Sequence, residues 1–85
     1  MPEKKNHQPP INIWVNDQKF VAPKSAMTGR EIKELASISL ENRLFLETPG
    51  PKKEDIPIGN EEIVKLKSGM RFYDLPPMKV GLILS

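Results

Sequence analysis

Eighty-five residues suit one small domain, which hides only about 60% of its unfolded surface on folding and has a modest stability margin. The absence of cysteine excludes a disulfide framework, a zinc ribbon and a thiol nucleophile, and the one histidine, His7, lies in a polar stretch with nothing apolar to bury. The 13 basic and 11 acidic residues are interspersed to a net charge of +2, which describes a solvated surface and not the basic groove with interleaved aromatics of a nucleic-acid binder.

The chain opens on MPEKKNHQPP, residues 1–10, which reads as a disordered leader. INIWVNDQKFVA then reads as a hairpin, with Ile11, Ile13 and Val15 alternating with Asn12, Trp14 and Asn16 before the turn chemistry of Asn16-Asp17. The period changes at Thr28, which forms a capping box with Glu31 and opens a helix carrying Ile32, Leu35 and Ala36 on one face, with Ile38 and Leu40 continuing the apolar character. RLFLE, from Arg43 to Glu47, alternates again as a strand and stops at Pro49-Gly50-Pro51.

After the charged connection Lys52-Lys53-Glu54-Asp55, the stretch IPIGNEEIVKL is ambiguous: Ile63, Val64 and Leu66 suit a short strand or a single helical turn. The turn Ser68-Gly69 leads into MRFYDL, the last strand, which Pro76-Pro77 must end or confine to an edge because proline donates no ladder hydrogen bond. One apolar helix stripe and one sheet face bury each other most economically when the helix lies across the sheet, so the fold class is α+β with a ββαββ mixed sheet. The domain reads as residues 11–77, and residues 78–85 read as a flexible tail open to processing.

Alternation also predicts a partner patch. With Ile11, Ile13 and Val15, Leu44 and Leu46, and Phe72 turned to the helix, Trp14, Phe45, Tyr73 and Leu75 point to the opposite face, unless one strand is a residue out of register or the tail covers these side chains. Catalysis is not expected: histidine is missing from the folded sequence, no ligand cluster or phosphate loop occurs, and Glu61-Glu62 beside Lys65 and Lys67 reads as a solvated face. No bound cofactor or metal is expected. Without a signal peptide or an apolar run near the ~20 residues that span a bilayer, the expected location is cytoplasmic and no membrane partner is expected.

The order of elements, the strand INIWVN, the capped helix TGREIKELA, the strand RLFLE before Pro-Gly, and the closing VKLKSGMRFYDLPP together resemble the β-grasp fold of ubiquitin-like proteins. More narrowly, they resemble the bacterial multiubiquitin family over residues 11–77, the segment Leu66 to Phe72 being the most specific part; the unit occurs once. The resemblance implies a modifier, not an enzyme. An E1-like activating enzyme would use ATP to adenylate the C-terminal carboxylate, an E2-like carrier enzyme would take the acyl group, and a protein target would accept it. Bacterial relatives are typically encoded beside such enzymes and a processing peptidase, and some systems are associated with antiphage defence.

A modifier needs a narrow tail with an unhindered carboxylate, which glycine suits. This chain lacks a terminal Gly-Gly; its tail glycine, Gly81, is followed by Leu82-Ile83-Leu84-Ser85. Three readings stay open: a peptidase removes those four residues, the tail is used whole as an apolar docking strand, or it packs on its own domain. On the first, Pro76 and Pro77 stiffen the exit, Met78, Lys79 and Val80 form the arm, and Gly81 is the acyl donor. Two further readings of the fold also stay open, a non-conjugated β-grasp binding module and a sulfur carrier, the latter weakened by the missing Gly-Gly.

Overall fold

The computed structural model describes residues 10–50 and 54–77. Strands β1 (Ile11–Val15) and β2 (Gln18–Ala22) form the expected hairpin, with Ile11 opposite Ala22 and Val15 opposite Gln18. Asn16 and Asp17 both take positive φ, 54° and 66°. That geometry matches the twist of the flanking strands, and Asn and Asp tolerate it better than other side chains.

A short strand β3 (Ala26–Thr28) runs into helix α1 (Gly29–Leu35). The capping box is present: the Glu31 N–H donates to Thr28 Oγ1 at 3.1 Å and the Thr28 N–H donates to Glu31 Oε1 at 2.9 Å. Lys24 Nζ adds a 2.7 Å bond to the same carboxylate, and that bond followed by the Thr28 amide holds the Glu31 carboxyl below its ordinary value of 4.5. Because the folded value is the depressed one, this support is present above the ordinary value and is lost as pH falls through the folded one. Hydrogen-exchange protection at Thr28 and Glu31 should therefore fall on acidification while that of β1 holds.

The helix ends in a Schellman arrangement. The Ile38 N–H donates to the Lys33 carbonyl at 2.8 Å and the Ser37 N–H to the Glu34 carbonyl at 3.2 Å, with Ser37 at φ 60°. A serine in that left-handed position carries a Cβ penalty that glycine avoids, partly offset by glycine's freer unfolded chain. Ser37→Gly should raise stability by up to about 1 kcal/mol in a denaturant titration; a lower midpoint would contradict this account of the helix stop.

Strands β4 (Arg43–Leu46), β5 (Ile56–Ile58), β6 (Ile63–Lys65) and β7 (Arg71–Leu75) complete the fold. The main sheet has five strands in the order β2-β1-β7-β4-β5, with β1 and β7 parallel and the other pairs antiparallel. β3 and β6 form a separate two-stranded sheet, Met27 opposite Val64. The α+β class and the helix across a mixed sheet are as the sequence indicated. The four-strand ββαββ outline is incomplete, because β3, β5 and β6 are present as well. Ile63-Val64 resolves as strand, with Val64 and Leu66 buried and Ile63 exposed. β5 accommodates Pro57 because it is the edge strand, where a missing N–H goes unnoticed.

The core is built from Ile13, Val15, Leu44 and Phe72 on the sheet and Ile32 on the helix, all fully buried. Phe72 lies between Val15 and Leu46 in register, which locks the parallel centre of the sheet to β4. On the helix, Ile32 carries the burial, while Leu35 and Ala36 are half-buried against the cluster.

Candidate functional site: the outer face of the sheet

Strand alternation puts opposite faces on successive residues, so the inward set just described fixes the outward set. Register brings Trp14 beside Lys19 and Arg71, Phe45 beside Tyr73 and Pro57, and Arg43 beside Leu75. All four residues of the expected patch therefore lie on one face. Trp14, Phe45 and Tyr73 are half-buried and Leu75 is exposed.

The patch is more ordered than alternation alone implies. The Phe45 and Tyr73 rings stack with centroids 5.2 Å apart and planes 14° from parallel. The Arg43 guanidinium lies 5.7 Å from the Phe45 ring centre, and that of Arg71 lies 5.8 Å from the Trp14 ring centre. Arg71 also meets Asp17 Oδ1 at 2.7 Å, so Trp14 is covered by a cation that is itself held in place. At the other side, Tyr73 Oη donates to Asp55 Oδ2 at 2.7 Å; this bond, then burial, pushes the phenol above its ordinary value of 10.0.

Arg71 pairs with Trp14 and precedes Tyr73 by two residues on β7, so the patch comprises two aromatic stations, Trp14 under a guanidinium and the stacked pair. Sequence reasoning named the rings and missed the arginines, although the same alternation carries Arg43 and Arg71 outward with them. Such a face offers ring edges and planar cations to a partner, the combination common at the centres of protein interfaces. Phe45→Ala should cost about 1–2 kcal/mol, since it removes the stack and partly buried area. Ile32→Ala should cost more, about 2–5 kcal/mol, because its side chain is wholly enclosed; chemical denaturation of both variants tests the ranking.

The expected exit from the domain is partly visible. Pro76 is exposed and Pro77 half-buried immediately after β7, whereas Met78, Lys79, Val80 and Gly81, with Leu82, Ile83, Leu84 and Ser85, lie outside the described residues, as does the leader. No helix among the described residues is long and apolar enough to cross a membrane.

A capped helix across a five-stranded sheet, with a parallel pair β1–β7 at its centre and a hairpin at one edge, defines a ubiquitin-like β-grasp domain. A family model described as Multiubiquitin matches residues 11–73, from the start of β1 into β7, and the chain belongs to that family. No curated protein and no solved structure matches it.

Proposed function

We propose that this chain is a ubiquitin-like protein modifier of a bacterial conjugation pathway, joined to targets through its C-terminal segment. Family membership over residues 11–73 is the observation that carries the reading. In the proposed cycle an activating enzyme consumes ATP: the modifier carboxylate displaces pyrophosphate to give an acyl adenylate. A carrier enzyme's thiolate then displaces AMP, and a target amine or hydroxyl displaces the thiol. Gly81 is the proposed acyl donor after a peptidase removes Leu82 to Ser85, since it offers the carboxylate without a Cβ. The outer face supplies the proposed docking surface for the activating or carrier enzyme.

Intact mass of the protein expressed alone, and then with a peptidase, an activating enzyme and a carrier enzyme of the ubiquitin-like type, tests the reading. Expected are loss of the four terminal residues and appearance of target adducts; Phe45→Ala should reduce adduct formation while the domain stays folded. A chain that keeps its full mass and forms no adducts with those enzymes present would instead favour a non-conjugated binding module, for which the same aromatic face is the natural surface.

A further inference from the structure

A cleft of about 470 Å³ opens between the loop that follows α1 and the paired ends of β4 and β5. Leu40, Phe45, Pro57 and Arg43 line it, with the buried Leu44 and Ile58 beneath them. The polar groups of this wall are already satisfied: Lys33 Nζ donates to the carbonyls of Leu40 and Asn42 and to Asn60 Oδ1, and Asn60 Nδ2 donates to the Leu40 carbonyl. What remains open to an occupant is chiefly aliphatic and aromatic surface.

The chain leaves the sheet beside this cleft. Leu75, the last residue of β7, is paired with Arg43, one of the residues lining the cleft. Neighbouring strands lie about 4.8 Å apart, so β4 is one spacing and β5 two spacings from the exit, roughly 10 Å in all. The segment that follows, Met78-Lys79-Val80-Gly81-Leu82-Ile83-Leu84-Ser85, carries one charged and five large apolar side chains, and its eight residues can reach about 28 Å when extended.

We propose that the apolar end of this segment, Val80 to Leu84, docks in the cleft of its own domain, with Leu82 and Leu84 on the inward side of an extended run. Extended backbone sends alternate side chains the same way, so these two leucines share a face. Tethering gives the tail a local concentration in the millimolar range, enough to fill a modest apolar site that would be nearly empty for a free peptide. A second cleft, of about 500 Å³ and lined by Leu46, Pro49 and Met70, lies by the start of β7. To occupy it the tail would have to reverse and run back the length of that strand. The contact belongs to the free chain, and it deepens the proposed role by making tail removal or tail capture compete with the cleft. Its failure would leave the modifier reading standing, because conjugation is read separately as adduct mass.

The chain has no cysteine, so Ser85→Cys gives a single attachment point for a nitroxide label. Amide signals of Leu40, Asn42, Leu44, Ile58 and Asn60 should be broadened away in the labelled full chain, while those of β2 persist. The loss should disappear in a labelled chain that also carries Leu82→Asp and Leu84→Asp. It should be absent when isotope-enriched unlabelled chain is mixed with labelled chain lacking the isotope. Unbroadened spectra, broadening around Met70 or Trp14, or broadening that appears in the mixed sample would each overturn the proposal, the last by assigning the cleft to a second copy.

Discussion

Replacing Gly29 by alanine should cost about 3–5 kcal/mol, the sum of overpacking at one site and the weakening of two backbone bonds. Gly29 is the first residue of α1, buried against the β5–β6 turn. A Cβ there would fall well inside van der Waals contact distance of the Gly59 carbonyl oxygen and 3.1 Å from Ile58 Cγ2. Backbone cannot yield as a flexible side chain can, so the helix start would have to lift. Lifting it stretches the bonds from the Gly29 N–H to the Glu62 carbonyl and from the Arg30 N–H to the Asn60 carbonyl, both 3.0 Å. Gly59→Ala is the control: its Cβ would meet nothing closer than 3.9 Å and should leave the denaturation midpoint nearly unmoved. Equal midpoints for the two variants would mean that the close approach of helix to turn is not a feature of the folded protein.

Gly29 also marks the boundary of what the sequence makes legible. Its neighbours Thr28 and Glu31 announce the helix start, because a capping box is written within one turn of chain. The hairpin turn at Asn16-Asp17 and the alternation of β1, β4 and β7 are equally local, and from them follow the core strands and the outward Trp14, Phe45 and Tyr73. The contact between Gly29 and Gly59 joins residues far apart in sequence, and nothing near either glycine indicates it. Strands β3, β5 and β6 have three residues each, too few to establish a period, and Pro57 argues against strand when its edge position is unknown. The stack and the cation positions on the outer face depend on register between strands, which single-strand patterns do not carry.

Lys33 is the other residue whose place was invisible, since a lysine beside Ile32 on a helix ordinarily reads as solvated. It is instead 3% exposed. Its ammonium spends all three donors, on the Leu40 carbonyl, the Asn42 carbonyl and Asn60 Oδ1, and so fastens the helix to the loop entering β4 and to the turn after β5. Asn42 continues the chain of contacts through its Nδ2, which donates to Asp74 Oδ2 at 2.7 Å, next to the last residue of β7. The helix, the cleft wall and the tail exit are thus linked through one buried cation.

Lys33→Met keeps the aliphatic stem and removes the ammonium, which leaves the Asn42 carbonyl and Asn60 Oδ1 without that donor while Leu40 retains Asn60. At about 1–3 kcal/mol for each orphaned buried acceptor, the variant should lose about 2–5 kcal/mol. Amide exchange from Leu40 to Arg43 should quicken more than exchange in β1. Burial pushes the Lys33 ammonium below the ordinary lysine value of 10.5, with the Asp74 charge opposing the shift and that of Arg30 adding to it. The folded protein therefore releases this proton at a lower pH than the unfolded chain. Between the two values the unfolded chain binds more protons, so wild-type stability gains from rising pH through this group. Tyr73, whose folded value is raised, acts in the opposite sense, its contribution being lost as pH rises through the folded value, but both proteins carry it and it cancels in their difference. The gap between wild type and Lys33→Met should consequently widen as pH is raised from neutral toward 10.5. A gap that narrows over that range would show that the three acceptors hold the charged form more strongly than burial disfavours it, and the lysine would then be a cation stabilised by its cage.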